Sequence, residues 1–236
     1  MNFKIKPIGL LMAISLLAGC ASYHAVPYLR RKARKVHAIG LLSVNTPPGL
    51  TVSVRAPAAA GFGLIGGLIE EGVIDKKSNE FTKAARSLHY SLNVQLTDTL
   101  VSDLRAEGYQ VNSVKVPRIP DKFLNYFPKA PGDDALLDVV VHRHEAGYRA
   151  AGDHTKYYPY LFVTVRLVSV PAHRILYSRQ IVYNPIDPPG FARTIAPDPA
   201  YGYQDFDHLM ANPKESVEGL EKAVNQVGRA IADDLK

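Results

Sequence analysis

His142-Arg143-His144-Glu145 is the stretch best equipped for metal chemistry. Residues two apart on a strand share a face. His142 and His144 are therefore expected side by side, with His154 in the next loop as a third imidazole. Zinc accepts imidazole and carboxylate ligands. The H-E-x-x-H spacing nevertheless fails, because position 148 is Tyr148. A solvated polar strand face accounts for the same residues, so no metal and no other cofactor is expected. Gly61-Phe62-Gly63-Leu64-Ile65-Gly66 matches the G-x-G-x-x-G dinucleotide fingerprint. That chemistry needs a strand running straight into the glycines and an acidic residue about twenty positions on, at a strand end. Ala56 to Ala60 intervene, and twenty positions on lies inside a helical pattern. Ser, His and Asp all occur, but neither G-x-S-x-G nor a P-loop does. Glu70 and Glu71 are adjacent and splay apart on a helix. Asp133-Asp134 follow Gly132, which is turn chemistry. No residue is nominated as catalytic.

Two stretches have the composition of contact surfaces. Gly61, Phe62, Gly63, Gly66 and Gly67 lie in a run of small apolar residues, and small residues let backbones approach closely. Buried packing is the competing account. Tyr201, Tyr203 and Phe206 lie in a proline-rich loop of a chain with thirteen tyrosines and no tryptophan. Tyrosine offers broad contact area with a polar tip, which suits an interface. The alternative is that these rings pin the loop to its own domain.

The first twenty residues carry an address. Lys4 and Lys6 precede an apolar run at 7–17 that is too short to span a bilayer as a stable anchor. The run closes with Leu17-Ala18-Gly19-Cys20, and Cys20 is the chain's one cysteine. This resembles the lipobox of bacterial lipoproteins. The resemblance implies cleavage before Cys20, a diacylglycerol on its sulfur and an acylated amino terminus. Several acyl chains hold a protein stably in a membrane, at roughly 0.8 kcal/mol per buried methylene. Ala21, in place of an aspartate, implies transfer to the outer membrane. Arg30, Arg31, Lys32, Arg34 and Lys35 then become candidates for headgroup contact, worth about 1 kcal/mol per charge near an anionic surface. A solvated linker accounts for them equally well.

The elements behind these residues follow from patterning. The 236 residues are 47% hydrophobic and 21% charged, with a formal charge of +6, as befits a folded globular chain. One cysteine excludes an internal disulfide. No basic stripe recurs along the chain, so nucleic acid is not an expected partner. Strands are expected at 36–44 and 51–55, joined as a hairpin through Asn45-Thr46-Pro47-Pro48-Gly49. Phe81, Ala85, Leu88, Leu92, Leu96, Leu100 and Leu104 predict one long amphipathic helix over 78–107, stopped by Gly108. Strands follow at 109–116, 136–148, 160–170 and 174–183, the last three as an antiparallel meander. The 184–212 stretch reads as a long connection. Asn212-Pro213 with Glu215 starts a final helix with Val217, Leu220, Val224, Val227, Ile231 and Leu235 on one stripe.

The expected fold class is α+β, a mixed and largely antiparallel sheet with two amphipathic helices packed on one face. This order resembles the periplasmic domains of the curli-secretion lipoprotein and the TolB amino-terminal domain, which implies a fold and no function. The expected organisation is a signal peptide at 1–19, an acylated tether at 20–35 and a single periplasmic domain at 36–236. The expected role is a non-enzymatic accessory or assembly factor of the cell envelope, anchored in the outer membrane by its lipid and facing the periplasm. Its expected partners are the membrane and either an envelope protein or a second copy of itself. The rival reading is an envelope enzyme or a metal- or glycan-binding protein using His142 and His144.

Overall fold

A computed structural model describes residues 25–29, 36–55, 63–152, 154–170 and 172–236, with backbone alone over 63–71. Its centre is a mixed sheet of seven strands. The strands are β1 (Ala38–Leu42), β2 (Thr51–Val54), β3 (Gln110–Val114), β4 (Ala135–Ala150), β5 (Tyr158–Ser169), β6 (Ile175–Tyr183) and β7 (Arg193–Ile195). The helices are α1 (Gly63–Ser87), α2 (Leu92–Ala106), α3 (Phe206–Ala211) and α4 (Pro213–Asp234). The main sheet order is β3-β1-β4-β5-β6-β7, with β2 also paired to β4. The long β4-β5-β6 ladders are antiparallel, and the shorter pairings of β1, β2, β3 and β7 are parallel. Fold class and meander are as the patterning predicts.

The expected β1–β2 hairpin does not form. Both strands run parallel to β4, β1 beside Ala135–Leu137 and β2 beside Gly147–Ala150. Asn45 bridges Val140 between them. Residues 38–54 thus make one interrupted strand along β4. Pro47 and Pro48 interrupt it, because proline has no N–H to give a ladder. On the facing strand the register shifts between Val141 and Ala146, so β4 bulges at the same level.

The expected single helix over 78–107 is two helices. Ser91 accepts a hydrogen bond from the Val94 N–H and caps α2, and His89 takes φ 60° in the turn before it. This turn rotates Leu88 out of the stripe, leaving it 42% exposed, while Phe81, Ala85, Leu92, Leu96, Leu100 and Leu104 are buried. Gly108, with φ 92°, stops α2 as expected. The 184–212 connection carries β7, one turn of 3-10 helix (Pro199–Tyr201) and α3. Among the described residues no helix is long and apolar enough to cross a membrane.

Alternation along β5 sorts the two faces. Leu161, Val163, Val165 and Leu167 join α2 and α4 in the main core, and the whole predicted α4 stripe is buried there. Thr99 and Gly228 mark how closely α2 and α4 approach: a Cβ at 228 would lie 2.4 Å from the Thr99 methyl. The opposite face is covered by the 115–134 loop, through Leu124, Ala130 and Phe127 over Leu42 and Leu136. Beneath that loop lies a fully buried carboxylate. Asp138 accepts from Arg118 (2.6 Å), from Arg166 (3.0 Å) and from the Leu124 N–H (3.0 Å). The Arg166 guanidinium lies 4.3 Å from the Phe123 ring centroid.

Candidate functional site

Cys20, Arg30, Arg31, Lys32, Arg34, Lys35, Gly61 and Phe62 lie outside the described residues. Gly63, Gly66 and Gly67 are in the first turns of α1. The third glycine of the fingerprint is therefore inside a helix, while β2 ends at Val54.

His142 and His144 do not act as a pair. The bulge breaks the two-residue alternation that would have aligned them, and His144 takes φ 63°. His142 Nε2 lies 3.3 Å from the Thr164 hydroxyl on β5. His144 Nδ1 lies 3.4 Å from the Thr51 hydroxyl on β2, across the other edge of β4. Among the described residues no three His, Cys, Asp or Glu side chains converge on a metal position. The bulge instead assembles Glu145, Tyr160 and Arg149. The Tyr160 hydroxyl donates to Glu145 (2.7 Å), and the Arg149 guanidinium stacks 3.7 Å from the Tyr160 ring centroid.

The loop aromatics turn inward. Tyr203 is buried and exchanges two backbone hydrogen bonds with Tyr157, at 2.7 and 2.9 Å. Its ring meets Tyr148 edge-on at 5.6 Å, and Tyr148 meets Phe81 in the same way at 5.4 Å. Phe206 packs on the core beneath Lys77. Tyr201 lies against Gly219 of α4, where a Cβ would come within 2.9 Å of it. Of the two accounts of these rings, burial of Tyr203 agrees with the one that pins the loop to its own domain. Burial pushes the phenols of Tyr90, Tyr148 and Tyr160 above the ordinary value near 10. A raised folded-state value means their contribution to stability is intact below about pH 10 and is lost as pH rises further. In an alkaline titration followed by phenolate absorbance, fewer than thirteen tyrosines will ionise at about pH 11 before unfolding releases the rest.

The site that sequence reasoning missed sits where the β1–β2 strand is interrupted. The Pro47–Leu50 excursion borders two adjoining grooves of about 380 and 460 Å³. Lys83 and Arg86 of α1 and Arg143 and His144 of the bulge line the second, with Asp75 as its one carboxylate. Arg86 is tied down through a 2.6 Å bond to the Pro48 carbonyl. The Ser78 and Thr82 hydroxyls are committed to the backbone, while that of Thr51 lies 3.4 Å from His144 Nδ1. Ser78 accepts from the Val52 N–H at 3.0 Å, and Thr82 both accepts from and donates to Leu50. The grooves therefore present positive charge with Asp75 as a lone carboxylate. Exposed Leu88 and Val94 stand beside the lining residues Tyr90 and Asn93. Only a non-local pairing brings Lys83 and Arg143 together; Pro47-Pro48 was the one local signal.

No family model matches the chain, and no curated protein matches it significantly. Solved structures similar to it include protein XCC0632 from Xanthomonas campestris, described by the DUF330 model. It is 12% identical over 84% of this chain and 81% of that one, with a TM-score of 0.40. A PelC dodecamer from Paraburkholderia phytofirmans is 12% identical over 90% and 93%, with a TM-score of 0.36. Lipoprotein GNA1162 from Neisseria meningitidis is 11% identical over 61% and 80%, with a TM-score of 0.20. Likeness at this level assigns the chain to no family.

Proposed function

We propose that this protein is a lipid-anchored accessory or assembly factor of the bacterial cell envelope, held in the outer membrane and facing the periplasm. One observation carries the reading: Leu17-Ala18-Gly19-Cys20 closes a basic-then-apolar leader, and the chain's one cysteine stands at the acylation position. The grooves support a binding role through charge that is mostly of one sign, from Lys83, Arg86 and Arg143. In this reading Arg30, Arg31, Lys32, Arg34 and Lys35 lie close to the headgroups, and an envelope protein or a second copy is the contacted partner. Cys20→Ser tests the anchor. The variant is expected in the soluble fraction without incorporated fatty acid, depleted from membranes about tenfold or more, since no acyl chain is left to partition. Full retention in membranes would sink the reading.

A further inference from the structure

The segment after Cys20 rejoins the fold far sooner than β1 does. Val26 forms an antiparallel bridge with Ser178 of β6. The Val26 N–H donates to the Ser178 carbonyl at 2.8 Å, and the Ser178 N–H donates back at 2.9 Å. Ser178 lies below β7, which pairs only with Ile181–Tyr183, so Val26 takes the part of the β6 edge that β7 leaves open. Two residues on, half-buried Tyr28 packs against the main core. Its hydroxyl lies 3.4 Å from that of Tyr109, which donates to the Leu235 carbonyl at the end of α4. The chain is thus fastened at two successive points to one end of the sheet. That end holds the starts of β1, β3, β4 and β6 and the finish of β5. Leu29, which is exposed, and Val36, which packs on the core, flank the basic run, and both belong to this end.

We infer that this end of the sheet faces the bilayer surface at close range. The inference rests on Cys20 being the lipid anchor. Val26 is six positions after Cys20, and a fully extended chain advances about 3.3 Å per residue. Val26 therefore stays within roughly 20 Å of the headgroups. A free tether reaching to position 35 would have allowed about 50 Å. Ser178 is only three positions from the start of β6, about 10 Å from that end. β5 crosses the same ladder without the bulge in twelve residues, about 40 Å, so the β4–β5 loop lies at the opposite end of the sheet, farther from the Val26 bridge than Ile175 is. Exposed Ile175 and the adjacent Arg174 and His173 are on the near side; His154 is on the far side.

Depth measurement in the acylated full chain tests this. Cys20 is the sole cysteine and its sulfur is blocked by lipid, so Ile175→Cys and His154→Cys each give one labelling site. Each variant carries a small fluorophore and is reconstituted in phosphatidylethanolamine–phosphatidylglycerol vesicles containing brominated lipid. The label at 175 is expected to be quenched at least threefold more than that at 154. A ten-residue Gly/Ser insertion between Ala21 and Ser22 is expected to erase most of the difference. Equal quenching at both positions, stronger quenching at 154, or a difference unchanged by the insertion would each overturn the orientation. Failure of the protein to enter vesicles would overturn the anchor instead, so the two readings fail separately.

Discussion

Asp138→Ala will lower the unfolding free energy by about 3–5 kcal/mol, the range for removing one partner of a buried ion pair. Asp138 is fully buried, and the side chains of Arg118 and Arg166 are 10% and 16% exposed. The carboxylate is the anion for both guanidinium groups and also accepts from the Leu124 N–H. Its loss leaves two cations and a backbone donor between sheet and loop, with water largely excluded. Urea denaturation with a constant m value measures the loss. Arg55→Ala is the control: its pair with Asp187 is 3.4 Å long but 57% and 71% exposed, and its removal will cost well under about 1 kcal/mol. Replacing Asp138, Arg118 and Arg166 together by Leu, Met and Met will cost less than Asp138→Ala alone, because the stranded charges are gone as well. A triple variant less stable than the single would show that the pairs themselves stabilise the fold.

Gly147→Ala will be nearly as damaging, by about 4 kcal/mol, a size reserved for a few mechanisms of which backbone strain is one. Gly147 has φ 141°, and a Cβ there would lie 2.0 Å from the Thr51 carbonyl oxygen and 2.7 Å from the Thr51 nitrogen. Both atoms are backbone, so relief requires lifting β2 from β4. The same movement separates Thr51 from His144 and opens the basic groove. Gly152→Ala, in the next turn and with nothing within 4 Å, will stay within about 0.5 kcal/mol of the parent. Comparable losses at both positions would mean that the close contact with Thr51 does not set the cost.

What was legible in the sequence was local. The α4 stripe is buried from Val217 to Leu235, because a period near 3.6 over six turns leaves one apolar face. Its start is also legible, with Pro213 in the first turn, although Asn212 donates to Glu215 at 2.7 Å and does not cap the helix backbone. The meander reads from alternation in β5 and the tight turn before β6. Pairing across the chain was not legible. The period of 36–55 says strand, yet it carries no preference between a hairpin and two parallel pairings to β4. Leu88 fits the helical stripe by spacing alone, and only the competing Ser91 cap reveals the break. The Tyr203 ring has the chemistry of an interface and the position of a core residue. The groove cations come from α1 and from a bulge sixty residues later, so no window on the sequence holds both.

The parallel placement of residues 38–54 also bears on the order of assembly. Ala38 and its partner Asp134 are 96 positions apart, whereas β4, β5 and β6 are joined by short turns. Loop-closure entropy therefore favours the meander as the first structure, with the amino-terminal edge joining last. In a chain that emerges amino terminus first, that edge waits unpaired until more than half of the polypeptide has arrived. During this interval its backbone donors and acceptors are open to any other strand, and Pro47-Pro48 keep the exposed template short.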